Sequence, residues 1–141
     1  GMAFALDAAV RDLNKNAKKV AALRDRLIEG VLKLPRVHLT GSRTERLPGI
    51  ASFVIECIEG ESLILLLDAE GICASSGSAC TSGDLDPSHV LLAIGLEHGV
   101  AHGSLRLSLD HVNSDGEVDY ILEKLPPIVS PLRAMSPLWE A

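Results

Sequence analysis

The sequence predicts one compact α/β unit, and three observations lead there. A stripe of apolar residues at helical spacing opens the chain, and a strict period-two alternation occupies residues 104–109. Aliphatic residues supply nearly all of the 47% apolar content, since the aromatics are two Phe, one Tyr and one Trp. At 141 residues the chain fits one domain or one piece of a larger one. A chain of that size buries roughly two-thirds of its unfolded surface, enough for a real core. The positive mean hydropathy also suits a fragment that hides one face against another domain.

The elements follow in order. Val10, Leu13, Ala17, Val20, Leu23, Leu27, Val31 and Leu34 recur every three or four residues, which predicts a long helix over residues 2–34. Pro35 ends it, because the residue before a proline is pushed out of the α region. Val37 and Leu39 suggest a short strand, residues 41–46 a polar loop, and residues 50–58 a second strand. A second helix is expected from Leu63 to Glu70, with Gly71 as its left-handed cap. Ile72, Cys73 and Ala74 read as a short strand. Asp86 and Pro87 read as the N-cap and first position of a third helix running through Val90, Leu91 and Ile94 to Gly95. In Ser-Leu-Arg-Leu-Ser-Leu (104–109), Arg106 should share a face with Ser104 and Ser108, opposite the leucines. Ser114 and Glu117 form a capping-box pattern that starts a final helix near Asp115, and Pro126, Pro127, Pro131 and Pro137 are expected to break or kink its later part.

Composition excludes several classes of function. Net charge is −6 and no basic block interleaves with aromatics, which argues against a nucleic-acid partner. Apolar runs such as residues 63–67 and 90–96 fall far short of the ~20 residues that cross a bilayer. Gly1 before Met2 reads as a cloning scar, no signal h-region follows, and a cytoplasmic location is expected. Three cysteines, Cys57, Cys73 and Cys80, make an odd count with no zinc-ribbon spacing, so reduced thiols are expected. Cys73, Cys80, His89 and His102 are separated by 7, 9 and 13 residues, which matches no familiar metal site. His89 is expected beside the cap of the third helix and His102 as a structural hydrogen-bonding residue; no metal is expected.

The chemistry concentrates in Ser75-Ser76-Gly77-Ser78-Ala79-Cys80-Thr81-Ser82-Gly83, where nothing is larger than Thr or Cys. Such a segment has no apolar anchor and two glycines, so a mobile loop with an exposed thiol is expected. Exposure matters because the thiolate is the nucleophile and a thiol buried among apolar groups is inert. Composition alone leaves a reactive and an incidental Cys80 equally open. Cys73 within a strand and Cys57 at the end of one are read as structural.

A set of motifs decides between those readings. Arg46-Leu47-Pro48-Gly49, Glu59-Gly60-Glu61-Ser62-Leu63, the Cys80 loop and Pro87-Ser88-His89-Val90-Leu91 appear in that order. Ala101-His102-Gly103-Ser104-Leu105-Arg106-Leu107-Ser108-Leu109 and Glu117-Val118-Asp119-Tyr120 come next. Leu132-Arg133-Ala134-Met135-Ser136-Pro137-Leu138-Trp139-Glu140 closes the series. Together they resemble the C-terminal third of the NifS/IscS-type (group I) cysteine desulfurases, pyridoxal-phosphate enzymes of the aminotransferase class V family. Asp110-His111 stands where that family commonly has Gly-Arg.

The resemblance implies a fold and a function. The fold would be the two-layer small C-terminal domain of fold-type-I enzymes, with a short, mostly antiparallel sheet and helices on one face. Residues 1–141 would form that single domain, without the large pyridoxal-phosphate domain. The family converts L-cysteine to L-alanine while a loop cysteine takes the sulfur as a persulfide. Carried over by motif, Cys80 is the nucleophile, Ser75, Ser76, Gly77, Ser78, Ala79, Thr81, Ser82 and Gly83 form its mobile loop, and Arg106 binds the substrate carboxylate. The lysines, Lys15, Lys18, Lys19, Lys33 and Lys124, do not stand in the family's cofactor-lysine setting. No cofactor is therefore expected on this chain, and the isolated chain is expected to be inactive. Partners implied are the missing large domain and a sulfur acceptor, either an iron–sulfur scaffold or a thio-modification enzyme. A homodimer through the apolar stripe of the first helix is also expected. The alternative is a stand-alone persulfide carrier that works without cofactor.

Overall fold

A computed structural model describes residues 1–76 and 87–139. Helix α1 spans Met2–Val31, and strands β1 (Val37–Leu39) and β2 (Ile50–Ile55) follow it. Helix α2 (Gly60–Ala69) comes next, then two short helices, α3 (His89–Ala93) and α4 (His98–Ala101). Strand β3 (Ser104–Ser108) and helix α5 (Asp115–Ala134) complete the order. The strands form one antiparallel sheet in the order β1-β2-β3, with Val37 opposite Ile55, and Ser52 opposite Arg106.

Period two sorts the sheet into two faces. Val37, Ala51, Phe53, Ile55, Leu105 and Leu107 point into the main core, where Leu27 and Val31 of α1, Leu63 and Leu67 of α2, and Val118, Leu125 and Val129 of α5 meet them. Phe53, Leu27, Leu63 and Leu105 are wholly buried there, each worth roughly 1.5–3 kcal/mol of transfer free energy. The opposite face carries His38, Ser52, Val54, Ser104, Arg106 and Ser108. Val54 alone makes an apolar cluster on that side, against Leu91 of α3 and Ala101 of α4. The long helices α1, α2 and α5 thus lie on one face. The short α3 and α4 pack on the other, which is otherwise largely polar, so the expectation of helices on one face alone needs correction.

Two expected boundaries hold at their local signals. Ser114 caps α5: its backbone N–H donates to the Glu117 carboxylate at 2.7 Å, and its hydroxyl accepts from the Glu117 N–H. Gly71, at φ +74°, follows α2; its N–H donates to Asp68 O, and the Ile72 N–H donates to Leu67 O at 2.9 Å. That pair of bonds is the Schellman closure.

Six further expectations need correction. Helix α1 ends at Val31 and not at Leu34, and α2 begins at Gly60 and not at Leu63. Residues 72–74 form no strand; the chain meets the sheet only at Ser75, through a single bridge to Arg106. The third helix begins at His89 with Ser88 as N-cap, so Pro87 lies before it, and Asp86 falls outside the described residues. Strand β2 stops at Ile55, because Cys57 takes a left-handed φ of +63° that a strand cannot continue. Helix α5 runs unbroken through Pro126, Pro127 and Pro131. Each proline forfeits a helical N–H, but Leu125, Ile128, Val129 and Arg133 are buried between them, and that packing outweighs local preference.

Helix α1 is divided along its length. From Val20 onward its apolar stripe is buried, whereas Phe4, Leu6, Val10 and Leu13 are exposed. Among the described residues no helix is long and apolar enough to cross a membrane.

Ion pairs tie the helices to one another at the surface. Arg26 of α1 holds Asp115 at 2.8 Å and also binds Asp119 of α5, and Lys124 of α5 holds Glu70 at 2.8 Å. Asp119 is held below its ordinary value by the Arg26 hydrogen bond, and Glu70 by that of Lys124. Glu117 is lowered first by the Ser114 backbone N–H, and Asp110 by His111. A carboxylate whose folded pKa is depressed stabilises the fold above its unfolded pKa, and that contribution is lost as pH falls through the folded value. Thermal stability should therefore be flat near neutral pH and decline below the ordinary carboxylate range. Glu117→Gln should lower the melting temperature at neutral pH, and its deficit against the parent should shrink in acid; a deficit independent of pH would contradict the assignment.

Candidate functional site

The site is built outward from β3. Leu105 and Leu107 anchor the strand in the core, so Arg106 between them is turned to the polar face and is exposed. Ser104 is buried at the same face, and Ser52 of β2 lies opposite Arg106 and donates nothing to it, accepting instead from Thr40 Oγ1 at 2.8 Å. Among the described residues no carboxylate lies within ion-pair distance of the Arg106 guanidinium. An exposed guanidinium with no ion pair to a described residue, raised on a strand, offers a planar fork of donors that matches a carboxylate.

The far edge of β3 receives the start of the small-residue segment. The Ser75 N–H donates to Arg106 O at 3.1 Å, and the Arg106 N–H donates to Ser75 O at 2.7 Å. The Ser75 hydroxyl turns away and donates to Ser76 O at 3.0 Å. Of the residues singled out by motif, the structure thus brings Ser75 and Arg106 into direct contact. Gly77, Ser78, Ala79, Cys80, Thr81, Ser82 and Gly83 lie outside the described residues.

The other two thiols can be placed. Cys73 is exposed and outside any strand, which removes the reason for reading it as a strand residue. Cys57 is half-buried in the turn after β2, where its Sγ donates to Leu138 O at 3.4 Å and Arg36 Nη1 approaches it at 3.8 Å. It lines a cleft of about 290 Å³ together with Glu59, Ser62, Leu132, Met135 and Leu138. Nothing in the sequence pattern marked this cleft, because it forms only when the end of α5 packs against the turn after β2. Among the described residues, neither Ser75, Ser76 nor any residue of β3 lines it.

His89 is the exposed first residue of α3. His102 packs edge-on against His98 at 4.8 Å, with Nδ1 3.9 Å from Glu59. Its carbonyl accepts the Gly60 N–H at 3.0 Å, the structural role expected of this position. Among the described residues no group of three or more His, Cys, Asp or Glu could hold a metal ion. The Asp110-His111 departure forms a sound turn: Asn113 Oδ1 accepts the Asp110 N–H at 2.8 Å, and the Asp110 carboxylate accepts the His111 N–H at 2.6 Å.

The lysines do not fit a pyridoxal-phosphate Schiff base. Lys124 is committed to Glu70 and lies over the Tyr120 ring, and Lys19 donates to His111 O. Lys15, Lys18 and Lys33 lie on or just past α1, away from the polar sheet face and the cleft. No step through that cofactor is derived from these residues.

An antiparallel sheet with an exposed arginine beside the root of a cysteine-bearing segment defines a class of domain, and comparison with known proteins identifies it. The profile of Aminotransferase class-V matches residues 1–121. The chain is 51% identical over 138 residues to cysteine desulfurase IscS of Methanosarcina thermophila, covering 98% of this chain and 34% of that protein. It is 44% identical over 140 residues to cysteine desulfurase NifS of Azotobacter vinelandii, covering 99% and 35%. Among solved structures, a NifS-like protein superposes with a TM-score of 0.80 at 34% identity, covering 92% of this chain and 32% of that one. A NifS-like protein from Rickettsia africae gives 0.77 at 27% identity, covering 90% and 33%. The chain belongs to the aminotransferase class-V family. It spans about a third of the length of the curated relatives it matches.

Proposed function

We propose that this chain is the C-terminal, sulfur-handling domain of a cysteine desulfurase. In this reading Cys80 takes the sulfur of L-cysteine as a persulfide, and Arg106 holds the carboxylate of that substrate. The observation that carries it is the direct pairing of Arg106 with Ser75, which stands five residues before Cys80 in the chain. Arg106 would thus stand beside the root of the segment that carries Cys80. In the net reaction an S–S bond to Cys80 forms as the carbon–sulfur bond of cysteine breaks, and the carbon is left protonated as alanine. Splitting a hard transfer through a covalent intermediate is the use of a nucleophilic cysteine. Cys80 must be a thiolate to attack, and a segment made only of small residues suits it to meet both the donor and the later acceptor.

Carbanion stabilisation in the family belongs to pyridoxal phosphate, and we place the lysine that holds it in the remainder of the longer polypeptide. The exposed apolar residues Phe4, Leu6, Val10 and Leu13 of α1 are the surface against which that remainder would dock. In residues 1–141 alone the same surface is available to a second copy, which gives the dimer. Sulfur would pass on to an acceptor protein, an iron–sulfur scaffold or a thio-modification enzyme, in the cytoplasm.

The test is turnover. Residues 1–141 supplied with pyridoxal phosphate and L-cysteine should make no alanine beyond background, whereas the protein expressed from its whole reading frame should make it catalytically. Alanine from residues 1–141 in molar excess over the chain would contradict the placement of the lysine. A reading frame with no lysine-bearing domain upstream would favour the stand-alone carrier.

A further inference from the structure

We propose that Ser75 is a positioning residue for Arg106: its main chain, not its hydroxyl, sets the direction in which the guanidinium is presented. The proposal rests on the reading of Arg106 as the carboxylate-binding residue.

Arg106 sits opposite Ser52 across the β2–β3 ladder, but its own N–H and C=O point to the other edge of β3, where both are bonded to Ser75. That two-way exchange fixes the peptide planes on either side of the Arg106 Cα, and with them the direction of its Cα–Cβ bond. Among the described residues, strands pair with β3 only on its β2 side, and Ser75 meets Arg106 as an isolated bridge. Without it the two polar groups of Arg106 would be left to water and the strand would be freer to twist at that residue.

Ser75 is itself held in place. Tyr120 donates to Glu70 O at 3.1 Å and Lys124 holds the Glu70 carboxylate, so the end of α2 is pinned to α5. The Schellman closure then turns the chain at Gly71, and Ile72 is buried in the core. Three residues later comes the bridge. Core, helix cap and bridge thus form one continuous support from α5 to the base of the Arg106 side chain.

The hydroxyl contributes nothing to this support, since it bonds to Ser76 O. The two substitutions Ser75→Ala and Ser75→Pro therefore separate the roles. Alanine keeps both main-chain bonds, and proline removes the N–H that Arg106 O accepts.

The experiment is an NMR titration of residues 1–141 with L-alanine, read at the Arg106 Nε–Hε resonance. The parent and Ser75→Ala should respond alike, and Ser75→Pro should bind roughly tenfold more weakly, as loss of one geometrically aligned charge-assisted bond implies. Equal binding by the parent and Ser75→Pro would overturn the positioning role while leaving the Arg106 assignment intact. No response in the parent would instead overturn the carboxylate-binding reading, and with it this proposal. Amide hydrogen exchange on the parent keeps the test independent of whether the proline variant folds. The Ser75 and Arg106 amides should be protected together, and exchange of either as fast as the exposed Cys73 amide would refute the bridge as a support.

Discussion

Cys80→Ser, introduced into the protein expressed from its whole reading frame, should reduce conversion of L-cysteine to L-alanine by on the order of 10³-fold or more, the scale on which loss of a covalent nucleophile is felt. A hydroxyl of the same shape is a far weaker nucleophile toward sulfur and cannot form a persulfide. The same substitution should leave the melting temperature within about 1 °C of the parent, because Cys and Ser are nearly the same size and the exchange falls in a run of small residues with no apolar side chain larger than alanine. Turnover followed by alanine production, with the melting temperature measured on the same sample, checks both halves. A Cys80→Ser protein with parental turnover would mean that sulfur leaves by another route, and Cys73, now known to be exposed, would be the next thiol to test.

Arg133→Ala should be the most destabilising surface-to-core truncation near the end of α5. Arg133 is 4% exposed, and its Nε donates to Glu56 O at 3.2 Å. One Nη donates to both Pro35 O, at 2.6 Å, and Arg36 O, at 3.2 Å. Its guanidinium also lies 4.5 Å from the centre of the Trp139 ring. One side chain therefore satisfies carbonyls from the α1–β1 connection and from the end of β2. It does so where Arg36 and Cys57 hold left-handed φ values of +51° and +63° that non-glycine residues adopt at a cost. Burial lowers the guanidinium pKa from its ordinary value, yet an arginine stays charged throughout the working range. Truncation would strand the carbonyls and free Trp139, a loss of about 3 kcal/mol even if only two of the three bonds count at the low end of the range for charged donors. The melting temperature should fall by roughly 10 °C. Arg133→Lys should recover little of this, since a point charge cannot span three carbonyls. Thermal melts of both variants decide it; a shift under about 2 °C for alanine would show that the three bonds are replaceable by water.

Legibility in the sequence followed the range of the signal. The Ser114–Glu117 capping box, the left-handed Gly71 and the alternation about Arg106 are each written within a few residues, and each stands where local reading put it. Where a distant partner decides, local reading failed. Residues 72–74 have strand-like composition but find no ladder, because α2 closes into the core at Ile72 and the chain reaches β3 only at Ser75. The prolines of α5 carry a local signal to stop, which burial of Leu125, Ile128 and Val129 overrides. Helix α4, four residues long, has too little periodicity to be seen. The stripe of α1 was visible as one continuous face, but only its second half has a partner within these residues.

The site divides in the same way. The face on which Arg106 stands follows from period two alone, whereas its contact with Ser75 is a tertiary pairing that no spacing reveals. The role proposed for Cys80 comes from a motif and not from geometry, since small residues around a thiol suit a reactive and an incidental cysteine equally. Arg133 gave no sign of its clamp, because a single arginine near a chain end reads as a surface charge.

The most direct test of the sulfur-handling role is persulfide transfer to residues 1–141 from a low-molecular-weight persulfide donor, with the added sulfur mapped by mass spectrometry. Cys73 serves as the exposed control and Cys57 as the half-buried one. Selective labelling of Cys80 over both is the predicted result. Equal labelling of all three thiols, or none at Cys80, would contradict it.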